Sequence, residues 1–440
     1  MASLSNILEI ARRSLTAQRL AINTTGHNIS NAGTPGFSRQ RVEFAPTDPM
    51  RTAFGFVGTG VITSRIGRVR EGFIDQQIRG ASDTLGSAAS QQKILGQVEA
   101  VLNEPADNGL SASLNRFYNA FNELALHPEE SAYRSNVLQQ GTLLSQSFHQ
   151  LNKNLTQLHG DILNDVNAKV ADINRLTKEI GQLDLQIVTA LSGGDEPSDL
   201  KDKRDMKLDE LSKIVRISAN EDTNGSMIVS IGGAEVASRG LSTDVVASIE
   251  NGQVVIRPGN SPRALSVISG SLGGDVEMFN RVIPGYIDKV HQLASAMITT
   301  VNNAHRAGFG LGTPPLTGND FFVGTDAATI DINPFLLTNP AAIATSSDGR
   351  PGNNDVALAL AAQKSAMVLD GGVTTIPQFY NNLVSAIGSA INQAGYQEST
   401  QQLIVTQLEN QRNSVSGVSI DEEMTNLIKY QRAFDASARL

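Results

Sequence analysis

No proline interrupts residues 131–192 of this chain, and the apolar side chains in that stretch recur at a helical period. Leu144, Phe148, Leu151, Leu155, Leu158, Ile162, Val166, Val170, Ile173, Leu176, Ile180, Leu183 and Ile187 follow one another in steps of three or four, the spacing that lines one face of an α-helix. Unbroken, such a helix is roughly 90 Å long at a rise of 1.5 Å per residue. A rod of that length cannot cover its own apolar stripe, so the rest of the chain must supply partner helices. Gly141, Gly160 and Gly181 each weaken it by roughly 1 kcal/mol relative to Ala, and bends are expected there.

Both ends of the chain carry a narrower stripe. Leu4, Leu8, Ala11, Leu15, Gln18, Ile22 and Ile29 alternate steps of four and three with one heptad position lacking its apolar residue, and Ile420, Met424, Leu427, Gln431, Phe434 and Ala438 do the same. These are coiled-coil seams. Their separation by the whole chain implies that the N- and C-terminal helices pair, parallel or antiparallel, with the middle looped out. Such seams have little apolar material around them, so packing between subunits is expected. Asp421, Glu422 and Glu423 open the last helix, where the helix dipole favours carboxylates.

Between the ends, Asn31, Gly33, Pro35 and Gly36 stop the first helix. Phe37 to Val69 then alternates and is Gly-rich, as an extended arm or hairpin would be. Helix resumes near Ile74, with breaks at Pro105 and Pro128. Asp199 to Val215 is amphipathic, with Leu200, Leu208, Leu211 and Ile214 on one side and charges on the other. From about Arg216 to Ser271 the period drops to two between NG, GG and PG pairs, marking a small β-rich insert. Helix returns from Asp275 to Arg306, and an irregular region runs to about Asn354. Helices are expected over Asn354–Asp370, Pro377–Ser414 and Ile420 to the end. The chain thus reads as mainly α, with long coiled-coil-like helices from both ends packed together, an N-terminal arm and a β-rich insert. Its units are 1–35 (terminal helix, pairing with 416–440), 36–215 (arm and long helical domain), 216–272 (insert), 273–415 (helical domain continued) and 416–440.

Composition removes several function classes. The 440 residues contain no Cys, which excludes disulfides and thiolate chemistry. The N-terminus lacks a continuous apolar h-region, and no run of about 18 apolar residues occurs to span a bilayer. Residues 1–70 hold nine Arg, no Lys and three acids, a net +6 that leaves −15 for the remainder. Those arginines are scattered without interleaved aromatics, which argues against nucleic acid and for acidic surfaces of neighbouring subunits. No two of the six His stand at i, i+4 with an acidic partner, so packing or solvated histidines are expected, with no metal and no cofactor. Gly308, Gly310 and Gly312 follow no strand and read as a loop. Nothing converges as an enzyme site would require.

The stretch NISNAGTPGFSRQ at 28–40 resembles the N-terminal signature of bacterial flagellar axial proteins, carried by Asn28, Asn31, Thr34, Pro35, Gly36, Phe37, Arg39 and Gln40. Residues 117–138, 199–215, 283–309 and 417–434 are similar, in the same order, to the hook-associated protein 1 family within it. Members usually continue further past the YQRAF-type segment and carry a larger outer domain, so a short C-terminal seam and a reduced outer domain are expected. The resemblance implies a non-enzymatic subunit of the junction between hook and filament. It would be exported unfolded by the flagellar type III system without a cleaved signal, and be extracellular in the flagellum. Its partners would be copies of itself, the hook subunit, the next hook-associated protein, and an export chaperone at the C-terminal helices, with no nucleic acid and no membrane. Leu4, Leu8, Ala11, Leu15, Ile22 and Ile29 would form the N-terminal assembly seam. Ile420, Met424, Leu427 and Phe434 would form the C-terminal seam for assembly and chaperone, both termini being disordered in the free monomer. Alternatives are another rod or hook subunit, or a secreted coiled-coil effector or adhesin.

Overall fold

The structure is a computed structural model describing residues 2–52, 55–102, 104 and 109–439, with the backbone alone for 2–4. Pro105 lies outside the described residues. The chain ends form α1 (Ala2–Ser30) and α11 (Ile420–Ala438), which pack on each other. After α1 comes an arm in which β1 (Gln40–Pro46) pairs antiparallel with β4 (Val61–Arg68), and β2 (Met50–Thr52) with β3 (Gly55–Val57). The body is a set of long helices: α2 (Gly72–Leu102), α3 (Leu110–Leu126), α4 (Ser131–Ser192), α5 (Ser198–Ile214), α6 (Gly270–Glu277), α7 (Ile283–Arg306) and α10 (Ile376–Ser416). α10 runs along α2, and α4 packs against α3, α5 and α7.

α4 is one continuous helix of 62 residues. It runs unbroken through Gly141, Gly160 and Gly181, and two of these glycines are points of close approach. A Cβ at Gly141 would meet Ile332 Cδ1 at 2.5 Å, and one at Gly181 would meet the Gly240 carbonyl oxygen at 3.2 Å. Its apolar stripe from Leu144 to Ile187 is buried, except that Leu183 gives way to Asp184. Phe117 and Phe121 of α3 meet Phe321 at 5.6 and 5.5 Å between ring centres. Burying such a side chain stabilises by roughly 1.5–3 kcal/mol.

The insert comprises a four-stranded antiparallel sheet of β5 (Ile217–Glu221), β6 (Met227–Ile231), β7 (Ala234–Ser238) and β8 (Leu241–Ser242), followed by the hairpin β9 (Val245–Glu250) and β10 (Gln253–Pro258). A fully buried ion pair fastens it to the helices. Arg204 Nη1 donates to Asp184 Oδ1 at 2.8 Å and to the Gly225 carbonyl at 2.7 Å, while Asp184 Oδ2 accepts from Met227 N at 3.0 Å. The amphipathic reading of 199–215 sends the charges to solvent. Instead Asp202, Arg204 and Asp205 are buried, because each meets an opposite charge.

Two further departures have local causes. Between α6 and α7 the helix widens into a π-turn over Met278–Val282, where Ile283 N bonds back to the Met278 carbonyl. The next acceptor, Phe279 O, would then need the N–H that Pro284 lacks. His159 Nε2 donates to it instead at 2.9 Å, with its ring stacked on Phe279 at 3.8 Å. The helix expected over 354–370 is shorter, with α9 spanning Asp355–Ala362 after the short α8 (Pro334–Thr338). Met367–Leu369 then pairs with Thr374–Thr375 about a turn in which Asp370, Gly371 and Gly372 all take positive φ, as Asp-Gly-Gly favours.

The irregular region is pinned by two buried basic residues. Arg134, 1% exposed, donates to the carbonyls of Pro128 and Ile343 and to Thr345 Oγ1. His305 Nδ1 lies 2.7 Å from the Asn319 carbonyl, and Nε2 accepts from Ala344 N at 3.0 Å, a pattern that assigns a neutral ring. Burial lowers its pKa to about 4; Arg134 adds to this, and the Asn319 carbonyl and Asp320 partly oppose it. An unfolded histidine titrates near 6.5, so the unfolded chain binds more protons between the two values. Stability from this group is complete above about pH 6.5 and falls by about 3 kcal/mol as the pH drops to 4. Urea midpoints across that window should lose this slope in His305→Gln, which does not titrate; an identical acid slope in the variant contradicts the assignment.

Candidate assembly site at the paired chain ends

α1 and α11 run antiparallel. Ser14 Oγ lies 2.7 Å from Ser437 Oγ, and Asn28 Nδ2 donates to Glu423 Oε2 at 2.9 Å, fourteen residues on in one helix and fourteen back in the other. The face that α1 buries consists of Ala11, Ala17, Ala21, Thr24, Thr25 and Asn28, and α11 buries Glu423 and Ser437. Small side chains let helix backbones approach closely. The larger seam residues therefore sit beside the contact: Leu15, Ile22, Ile29, Leu427 and Phe434 are half-buried. Leu8, Ile420 and Met424 are 57%, 55% and 45% exposed. The Leu4 side chain lies outside the described ones. Among the described side chains of the expected N-terminal seam, Ala11 alone is fully buried.

The residues at 28–40 form a clasp. Asn28, 1% exposed, exchanges both amide bonds with the Gln40 backbone, at 2.8 and 2.9 Å, while holding Glu423. Arg39 Nε donates to Glu423 Oε1 at 2.8 Å, and its Nη2 reaches Glu422 Oε1 at 2.8 Å. Arg39 N also bonds the Ser416 carbonyl at 2.9 Å. That charge-assisted fork holds the Glu422 carboxyl below the usual carboxylate range. The turn itself is built by Asn31, Thr34, Pro35 and Gly36: Thr34 N bonds Asn31 O, and Phe37 N bonds Thr34 O. Gly36 takes φ +77 against Met206, and the Phe37 ring meets His27 edge-on at 5.4 Å. Gln40 Nε2 reaches Asp199 of α5 at 2.7 Å.

Behind the clasp lies a network of arginines and aspartates. Asp202 accepts from Ser38 N and Oγ and from Arg68 Nη1, at 2.8, 2.7 and 2.7 Å. Asp205 accepts from Arg68 and Arg79, Asp209 from Arg79 and Arg412, and Asp75 from Arg70. Burial pushes the Asp205 carboxyl up, but the charges of Arg70, Arg68 and Arg79 outweigh it and hold the group below its ordinary value. The sequence reading sends the N-terminal arginines to neighbouring subunits. Arg12, Arg13, Arg39, Arg65, Arg68 and Arg70 pair instead with carboxylates of this chain. Helix-start electrostatics accounts for Asp421 but misses the grip of Glu422 and Glu423 on Arg39. Partners 383 and 384 residues apart leave no local signal.

Removing Asn28 leaves Glu423 paired with Arg39 but deprives its Oε2 and the Gln40 backbone of their partner, so Asn28→Ala should cost about 1–3 kcal/mol. Asn28→Asp should cost more, since it sets a second carboxylate against Glu423. Hydrogen exchange over 420–430 of the purified chain reads both losses, and protection unchanged from the parent in either variant contradicts the clasp.

Among the described residues no group of His, Asp and Glu is placed to hold a metal ion, and no helix is long and apolar enough to cross a membrane. The family model for the flagellar hook-associated protein FlgK helical domain matches residues 95–322. Models for the flagella basal body rod protein and the flagellar basal body rod FlgEFG protein C-terminal match residues 8–37 and 409–440. Flagellar hook-associated protein 1 of Bacillus subtilis (strain 168) is 29% identical, over 98% of this chain and 95% of its own. Its counterpart in Salmonella typhimurium is 25% identical over 99% and 97%. The solved flagellar hook junction protein FlgK from Burkholderia pseudomallei shares the fold, with a TM-score of 0.67 at 14% identity over 78% of this chain and 100% of that one. With more than half its length matched by the helical-domain model and its two ends matched by the rod-protein models, this chain belongs to the flagellar hook-associated protein FlgK family, structural components of the bacterial flagellum and not enzymes.

Proposed function

We propose that this chain is the structural subunit joining hook to filament, an extracellular part of the flagellum built from copies of itself between the hook subunit and the next hook-associated protein. The observation that carries this reading is the apolar surface left on the paired ends. Ile7 and Leu8 of α1 are 43% and 57% exposed, and Ile420, Met424 and Ile428 of α11 are 55%, 45% and 49% exposed. Apolar residues at coiled-coil spacing and open to water suit burial by neighbouring helices. Of the expected seams, Leu8, Leu15, Ile22 and Ile29 on one helix and Ile420, Met424, Leu427 and Phe434 on the other serve as that surface, Ala11 being buried within the pair. A rod or hook subunit would share such ends; the helical-domain match over 95–322 favours the hook-associated reading.

Export and assembly follow from the same surface. A chain without cysteine can travel unfolded through a type III channel, and the α11 stripe is the segment an export chaperone would hold as a helix in a groove. The pair is fastened at its inner end by Asn28, Arg39 and Glu423. Among the described residues its outer turns bury no large apolar side chain, and they order fully when neighbours cover them. Deleting the coding sequence tests the junction role. Cells should build hooks without filaments, and full-length filaments in the deletion strain would refute it.

A further inference from the structure

Four carboxylates stand in one row along α5, Asp199, Asp202, Asp205 and Asp209, at steps of three, three and four, which is one helical face. The three passages of chain between the terminal pair and the body all meet this row. Leaving α1, Ser38 and Gln40 bond Asp202 and Asp199. Returning from the arm, Arg68 bonds Asp202 and Asp205. At the end of α10, Arg412 bonds Asp209 at 2.8 Å. Beside the row lies a cavity of about 910 Å³, lined among others by Thr34, Gly36, Met206, Lys213, Glu409 and Gly417. The joint is therefore spanned by polar contacts beside open space, with Gly36 and Gly417 at two of the crossings.

We propose that the carboxylate row of α5 sets the angle at which the terminal helix pair leaves the helical body, with Asp202 as its positioning residue, and that weakening the row lets the pair swing into the adjoining cavity. Hydrophobic packing tolerates sliding, whereas several directional, charge-assisted bonds on two nearly buried carboxylates specify one geometry. Asp202 and Asp205 side chains are 6% and 9% exposed, so loss of one partner leaves charges uncompensated and alternative arrangements competitive. This holds wherever in the flagellum the subunit sits.

The cysteine-free sequence permits a direct test with two spin labels. Asn23→Cys on α1 and Gln157→Cys on α4, both exposed, report the joint. Asn23→Cys with Lys429→Cys reports the pair itself. In the parent the joint distance should be a single narrow population. Asp202→Ala should shift or broaden it while the within-pair distance stays fixed, and Asp165→Asn, an exposed acid paired with Lys93, should change neither. If Asp202→Ala does not fold, Arg412→Gln replaces it, removing the α10 partner of Asp209, with the same broadening expected. A joint distance unchanged in whichever of the two variants folds overturns the proposal. So does simultaneous loss of the within-pair distance, since the row would then be keeping the pair folded instead of setting its angle.

Discussion

Glu423 is a carboxylate 2% exposed on α11, most of whose described residues are exposed or half-buried, and the arrangement of the chain ends depends on how it is satisfied. Burying a charge is costly unless it is paired and hydrogen-bonded. Asn28 and Arg39 do both, one from the end of α1 and one from the start of the arm. Two segments nearly four hundred residues away in sequence are thereby brought to one side chain. With that contact made, α1 and α11 have a fixed register, the arm leaves at Gln40, and the turn 31–37 faces α5. Without it, the small Ala, Ser and Thr side chains between the helices supply little hydrophobic stabilisation.

The body rests on a different kind of interaction. α4 buries an apolar stripe along nearly its whole length against α3, α5, α6 and α7, and that long seam makes it rigid. The β insert is held by polar contacts, Asp184 with the Met227 amide and Asn174 with the Val245 backbone, and by Val229 and Val245, which join the same apolar core. The irregular region is held by Arg134 with the carbonyls around Ile343, by His305 and by Phe321 against Phe117. The molecule thus adds polar fastenings to an apolar rod.

How much of this is legible in the sequence follows from the range of each interaction. α4 is plain, because the absence of proline and the three-four spacing are local. The pairing of the ends is legible as two matched seams, yet the contacting face is not. Period alone does not separate Leu15 and Ile22 from the adjacent Ala17, Ala21 and Thr25, and close backbone approach favours the small residues. The fate of Asp202, Asp205 and Glu423 is illegible, since their partners lie more than a hundred residues away and an acid on an amphipathic helix reads as solvated. The π-turn and the 367–375 hairpin had signals, in Pro284 and in Asp370-Gly371-Gly372, that helical periodicity overrode.

The central claim is that the two ends of one chain form one antiparallel helix pair in register. Ser14→Cys with Ser437→Cys places two thiols where the hydroxyl oxygens stand 2.7 Å apart, in a protein with no other cysteine. Oxidising flagella that carry this variant and separating the chains under denaturing, non-reducing conditions should yield an internally crosslinked monomer. Crosslinked dimers in its place would show that each end pairs with a neighbour and would contradict the account.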